Sequence, residues 1–216
     1  IEEGIAAGDM RRLQSMIHPF GMDSTPNLDF DRKQSLGQLA QAEGRDPVET
    51  YVDRLIASEG REYFNMWMFG GALENQWNYM RLPHVVPMLG DAGAHVGFFT
   101  DTDSPTVLLS ELTRKQGVYT LEDAIHRITG KSAEIIGLKE RGQLQQGWHA
   151  DINVIDYENL STHHAEYVND FPHGGGRFTV KSTGYDATIV AGKVVVRNCE
   201  HTGQRQGEVI REFHRG

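Results

Sequence analysis

The chain has 216 residues and a single cysteine, Cys199. No internal disulfide can form, and a lone thiol fits a reducing compartment, so a cytoplasmic location is expected. Long apolar runs are missing too. Mean hydropathy is -0.48, and no stretch approaches the ~20 apolar residues of a membrane span, so no membrane partner is expected. Blocks of lysine and arginine are also lacking. Lys and Arg number 21 against 30 Asp and Glu, a net charge of -9, and that sign argues against a nucleic-acid partner. There is no His-x-His, no His-Glu-x-x-His and no paired-Cys spacing, so the patterns that announce a metal site are absent. No Ser or Cys sits in a nucleophile elbow. The chain opens Ile1-Glu2-Glu3-Gly4 without methionine or a signal-peptide pattern, which suggests a fragment or a processed piece.

What remains has the composition of an ordinary globular protein, 38% hydrophobic and 24% charged, long enough for one sizeable core. Residues 2–17 show loosely helical spacing that Pro19 stops, and His18 to Asn27 reads as a loop rich in turn formers. Ser35 is an N-cap candidate for a helix ended by Gly44. Asp46 and Pro47 open a second helix, with Val48, Tyr51, Val52, Leu55 and Ile56 on one face as expected core. Tyr63 to Phe69 reads as a buried strand broken by Gly70-Gly71, Leu73 to Leu82 as a helix, and Val85 to Leu89 as a second buried strand. Strand, helix, strand implies a βαβ crossover and a parallel sheet. Thr106 to Gln116 and Leu121 to Leu138 read as helices, the latter with Thr120 as N-cap, acids in its first turn and Gly137 near its stop. From Gly142 the texture changes. Gly142 to Gly147 and Asp151 to Asp156 alternate as half-buried antiparallel strands do, and Thr188 to Val196 reads as a hairpin about Ala191-Gly192. A boundary is therefore expected near 141, with residues 1–141 α/β and 142–216 antiparallel β.

The chemistry-bearing residues gather in Val85-Val86-Pro87-Met88-Leu89-Gly90-Asp91-Ala92-Gly93-Ala94-His95. An apolar run that ends in small residues beside a carboxylate and an imidazole is how a strand presents a catalytic group. Asp91 can be a general base, a metal ligand or a helix cap, and His95 shares its face if the segment turns helical. Elsewhere bland readings prevail. Asp101 and Asp103 read as caps ahead of Pro105, His163-His164 as a surface pair, and Pro172 to Arg177 as a tight turn rather than an anion nest.

Two stretches carry a family resemblance. Leu121-Glu-Asp-Ala-Ile-His-Arg-Ile-Thr-Gly-Lys-Ser-Ala-Glu-Ile-Ile-Gly-Leu138, followed by Arg141-Gly-Gln-Leu-Gln-Gln-Gly-Trp-His-Ala-Asp-Ile-Asn-Val-Ile-Asp156, resembles the end of the amidohydrolase superfamily. Gly90-Asp-Ala-Gly-Ala-His-Val-Gly97 ahead of Ser104-Pro105 is similar to its N-acyl-D-amino-acid deacylase (D-aminoacylase) branch. The resemblance implies an α/β fold: the last strands and helices of a partial (β/α)8 metal-dependent hydrolase barrel over 1–141, then part of a small β-sandwich over 142–216. It implies hydrolysis of a C–N amide bond in a small-molecule N-acyl amino acid or related amide by the full-length protein. Asp91 would be the general base, with metal contact possible, and His95 a pocket or supporting group. Zinc is the implied cofactor of the full-length enzyme. The family's His-x-His and mid-barrel histidines have no counterpart here, so these 216 residues alone are expected to be inactive and to retain no zinc. The arginine that characterised D-aminoacylases place shortly after the aspartate is also absent from Thr100 to Ser104. Rival readings are a cyclic-amide hydrolase of the same superfamily and a non-catalytic α/β interaction module. Half a barrel exposes apolar surface, so self-association is expected.

Overall fold

The computed structural model of the chain describes residues 17–21, 35–66, 73–87, 95–97, 102–163, 165–211 and 213. It has two compact units, Ile1–Ala72 with His164–Asn169, and Leu73–His163 with Asp170–Gly216. No helix among the described residues is long and apolar enough to cross a membrane.

In the first unit, β1 (Ile17–Gly21) pairs antiparallel with β2 (Tyr63–Met66), with an irregular register between Pro19 and Gly21. This corrects two expectations. His18 and Pro19 lie on a strand rather than in a loop, because a bulge accommodates a proline that has no N–H for a ladder. The sheet is antiparallel here, so β2 does not open a parallel βαβ unit with its neighbour.

Helix α1 (Leu36–Glu43) starts with a capping box. The Gln38 N–H donates to Ser35 Oγ at 3.4 Å, and Gln38 Oε1 accepts from the Ser35 N–H at 3.0 Å. It ends at Gly44, whose φ of 65° suits glycine. Helix α2 (Pro47–Ala57) is capped by Asp46 Oδ1, which accepts from the Val48 N–H at 2.8 Å. Leu36, Ala40, Val48 and Thr50 are buried, and the Tyr51 and Phe64 rings lie 4.6 Å apart. Ile56, expected in the core, is 69% exposed. It lies near the end of α2, next to exposed Ala57, Glu59 and Gly60. Strand β5 (Glu166–Val168) also belongs to this unit.

The second unit begins with α3 (Leu73–Met80). Residues 85–87, the described part of the expected second strand, are not a strand. The Val85 N–H donates back to the Leu82 carbonyl at 3.1 Å, the Val85 carbonyl is taken by Arg127, and Pro87 has no N–H to offer a ladder. Residues 88–94, with the rest of that strand, lie outside the described residues.

Helix α4 (Ser104–Val107) runs on into a π-helix over Leu108–Lys115. In its buried wall Ser110 Oγ donates to the Thr106 carbonyl and Thr113 Oγ1 to the Leu108 carbonyl, both at 2.8 Å. The wider turn is thus stabilised by hydroxyls that satisfy carbonyls within it. Thr120 Oγ1 caps α5 (Leu121–Ile128) by accepting from the Asp123 N–H. The single helix expected to Leu138 is broken at Thr129 (φ -126°, ψ -92°) before α6 (Gly130–Ile136). The cause lies thirteen residues on. A Cβ on Gly142 would stand 2.9 Å from the Thr129 carbonyl and 3.0 Å from the Gly130 Cα, so the returning chain packs into the break. Residues 142–147 are turn rather than strand, with Gly142 and Gly147 at φ 81° and 88°.

The core gathers Leu108, Leu109, Val118, Tyr119, Ala124 and Leu160. A fully buried leucine contributes about 1.5–3 kcal/mol. Arg114 donates to the carbonyls of Tyr157 and, at 2.6 Å, Leu160, tying the strand-rich part to the π-helix.

That part is a four-stranded antiparallel sheet in the order β10-β9-β8-β3. Its strands are β3 (Ile152–Ile155), β8 (Tyr185–Val190), β9 (Lys193–Arg197) and β10 (Glu200–His201). The β8–β9 hairpin turns at Ala191-Gly192, φ 48° and 75°, a type I′ geometry that matches strand twist. Asn198-Cys199, φ 49° and 64°, turns the next hairpin the same way. β4 (Ser161–Thr162) pairs with β7 (Ser182–Thr183) beside the sheet, and β6 is Arg177–Thr179.

Candidate functional site

Asp91, read from sequence as the general base and possible metal ligand, lies outside the described residues. The chain on either side of it is described. Ahead of it in the chain, the turn 80–85 is held by side chains from helices α5 and α6 and from the loop before α5. Tyr119 Oη donates to the Met80 carbonyl at 2.7 Å, and the Lys131 ammonium donates to the Pro83 carbonyl. Arg81 Nε returns a bond to the Val118 carbonyl at 3.2 Å. The principal clamp is Arg127, whose side chain is 6% exposed. Its Nη1 donates to the carbonyls of Met80 and Leu82, both at 3.1 Å, and of Val85 at 2.6 Å. Its Nε meets Asp123 Oδ2 at 2.9 Å, and its guanidinium carbon stands 4.9 Å from the Tyr119 ring centre. Burial pushes the Tyr119 phenol above its ordinary pKa, against the opposing pull of Arg127.

After Asp91 comes His95, exposed, at φ 50°. The next residue is anchored, because the Phe178 N–H of β6 donates to the Val96 carbonyl at 2.7 Å. His95 therefore follows the expected aspartate in a turn that is tied to the strand-rich part.

An open cleft of 660 Å³ lies within the same unit, lined among others by Asp103, Thr106, His163, Lys181, Ser182 and Tyr185. Thr106 Oγ1 is its hub, 2.9 Å from Tyr185 Oη and 3.3 Å from Ser182 Oγ. Asp103 sits at the N-cap position of α4 but makes no capping bond. Its carboxylate instead accepts from Thr162 Oγ1, which corrects the helix-cap reading. Asp101 and His164 lie outside the described residues, and His163 is exposed. The glycine loop at 172–176 is a turn. The Gly174 N–H donates to the Phe171 carbonyl at 3.1 Å, and Arg177 is engaged by Asp170 through bonds of 2.8 and 2.7 Å.

Among the described residues, no three His, Cys, Asp or Glu side chains come together to hold a metal ion. The described part of the chain thus does not fit a metal centre by itself. Sequence reasoning missed Arg127 as a clamp. The Asp123–Arg127 spacing of i and i+4 was visible as a helix pair, but its carbonyl partners lie 42 to 47 residues away.

The amidohydrolase family profile matches residues 10–196. The chain belongs to that family. It is 45% identical over 56 residues (26% of this chain, 11% of the relative) to an N-acyl-D-aspartate deacylase of Alcaligenes xylosoxydans xylosoxydans. To a D-aminoacylase of the same organism it is 32% identical over 103 residues, 48% of this chain and 19% of the relative. It is also similar to a dihydroorotase of Lactobacillus acidophilus, at 34% over 73 residues, 34% of this chain and 17% of the relative. Among solved structures, a D-aminoacylase described as defining a novel subset of amidohydrolases superposes with a TM-score of 0.50 at 20% identity. That match covers 87% of this chain and 36% of the other. The chain therefore spans well under half the length of these relatives, and the structural likeness speaks for a fold of the barrel type that this family shares.

Proposed function

We propose that the chain supplies the C-terminal portion of a metal-dependent amidohydrolase that cleaves a C–N amide bond, with N-acyl-D-amino acids as substrate class. Within it, residues 1–141 would belong to the barrel and 142–216 to the sandwich, in a cytoplasmic protein. The observation that carries the reading is the family match across 10–196, which includes the Gly90–Gly97 segment and the 121–156 motif. The similarity to two deacylases supports the substrate class.

Asp91 is the proton carrier in this proposal. Its carboxylate takes a proton from the attacking water as the water oxygen bonds to the amide carbonyl carbon. When the C–N bond breaks, the same proton passes to the leaving nitrogen, giving a carboxylate product and a free amine. His95, four residues on, would face the substrate or support Asp91. Zinc, which the resemblance implies, would have its ligand set completed by residues outside the described ones, with Asp91 as one candidate ligand.

The test is Asp91→Asn in the whole protein. With N-acetyl-D-aspartate as substrate, kcat should fall about 10²-fold or more, the scale of general acid–base contributions. An unchanged kcat overturns the role. The 216 residues alone should show neither turnover nor stoichiometric zinc, and should self-associate in light scattering. A cyclic-amide hydrolase is the second reading, favoured by the similarity to a dihydroorotase. Preference of the whole protein for dihydroorotate over N-acetyl-D-aspartate would establish it. Absence of turnover on either would favour a binding module.

A further inference from the structure

We propose that the 660 Å³ cleft of the second unit is a binding site for a free α-amino acid with an aliphatic side chain, taken up as its zwitterion. The inference goes beyond amide hydrolysis and stands without it, since none of the groups it uses belongs to the Gly90–Gly97 segment. The volume falls in the range of small-ligand sites, about 300–1,000 Å³.

The floor of the cleft is a trio of hydroxyls. Thr106 is 3% exposed, and its Oγ1 stands 2.9 Å from Tyr185 Oη and 3.3 Å from Ser182 Oγ. Three hydroxyls carry three hydrogens, and the two contacts within the trio use two of them. Among the described residues these hydroxyls have no other hydrogen-bond partner. One O–H and several lone pairs are therefore available to a group inside the cleft. A donor this close to the interior costs free energy when it goes unpaired.

The charges of the cleft are set apart rather than paired. Asp103 makes no cap bond to α4, and its carboxylate accepts from Thr162 Oγ1. Thr162 pairs with Ser182 across the β4–β7 ladder, and Lys181 is the residue before Ser182. An acid and a base thus line one cleft from adjoining positions, yet they form no ion pair with each other. Among the described residues, Lys181 has no acidic partner at all. A ligand bearing a carboxylate and an ammonium bridges the two. Its carboxylate accepts from Lys181 Nζ and from the spare hydroxyl, and its ammonium donates to Asp103, both charge-assisted bonds. Glu200 also lines the cleft. A bare anion would therefore face two carboxylates and a bare cation would face Lys181, whereas a zwitterion matches both signs. Val180 and Val196 provide the apolar wall for an aliphatic side chain.

The experiment titrates the whole protein with leucine, in either enantiomer, by calorimetry. It is repeated in the K181M, D103N and K193M variants, with melting temperatures alongside. Lys193 is exposed on β9 and does not line the cleft. Leucine should bind at millimolar concentration or below. 4-Methylpentanoate, which lacks the ammonium, and 3-methylbutylamine, which lacks the carboxylate, should each bind about tenfold or more weakly than leucine, because each forfeits one charge-assisted bond. Glycine should lose as much by lacking the side chain, about tenfold. K181M and D103N should weaken leucine about tenfold or more, and K193M should stay within about twofold of wild type. Should a variant fail to fold, the wild-type protein is acetylated with a small amine-reactive ester, with and without leucine. Leucine must then protect Lys181 relative to Lys193. No binding up to about 10 mM leucine, equal binding of a half-ligand or of glycine, wild-type affinity in K181M or D103N, or an unprotected Lys181 each overturn the inference. An unchanged kcat in D91N removes the proton-carrier reading and leaves this one standing, because the titration reads no turnover.

Discussion

The turn around Arg127 and the β8–β9–β10 meander satisfy their backbones in opposite ways. In the meander each turn is made by the residues within it. Ala191-Gly192 and Asn198-Cys199 adopt left-handed conformations, and the strands on either side pair antiparallel, with one register shift between Thr188 and Ile189. Around residues 80–85 and 157–160 the carbonyls are met from far along the chain, by Arg127 and Arg114 at separations above forty residues. In these two stretches, then, the conformation depends on tertiary contacts, whereas the meander depends on local turn chemistry. A region of the first kind can be displaced by one distant substitution. The second kind responds mainly to changes in the turn itself.

That contrast breaks most visibly at Gly184. Its φ is 92°, and a Cβ there would stand 2.6 Å from the Leu160 Cα, backbone that cannot rotate away. Gly184→Ala should therefore cost about 2–4 kcal/mol from strain and overpacking together, read as a lowered urea midpoint at constant m-value. A loss below about 0.5 kcal/mol would mean that the long-range fit is looser than the distances require. A smaller effect of opposite sign is expected in the meander. Ala191→Asn converts the turn to Asn-Gly, which suits type I′, and should stabilise by about 0.5–1 kcal/mol. Destabilisation there would show that the hairpin is not governed by its own two residues.

The smallest effect is acidic. Hydrogen bonds from Asn159 hold the Asp156 carboxyl below the usual carboxylate range, and Arg177 does the same for Asp170. Both groups bind a proton more readily when unfolded. Their contribution is therefore present above the ordinary carboxylate pKa, about 4, and is lost as pH falls through the lowered folded values. Both are solvent-exposed, so the change should be slight. Melts at pH 7 and pH 3 should differ less in Asp156→Asn and Asp170→Asn than in the parent, and an identical difference would refute the assignment.

Much of the local structure was legible. Ser35 with Gln38, Asp46 with Pro47, Thr120 with Asp123, and Ala191-Gly192 each carry the cap or turn their residue types prefer, because those preferences act within four residues. The family, too, was readable from the 121–156 stretch and from Gly90–Gly97. Much of what misled was an interaction from elsewhere. Leu121 to Leu138 has the periodicity of one helix, yet Gly142 packs into it at Thr129. Val85 and Val86 have strand propensity, yet the Val85 carbonyl goes to Arg127. Asp103 stands where a cap belongs, yet Thr162 takes its carboxylate.

By itself, then, the sequence settled where α1, α2 and α5 begin, where the hairpin turns, and which family's motif surrounds Asp91. These rest on short-range sterics and hydrogen bonding that neighbours along the chain decide. Only the tertiary structure decided that the turn before Asp91 is locked to α5 through Arg127, and that the residue after His95 is tied to β6. Those contacts join residues 42 to 82 positions apart, a distance over which composition and periodicity carry no signal.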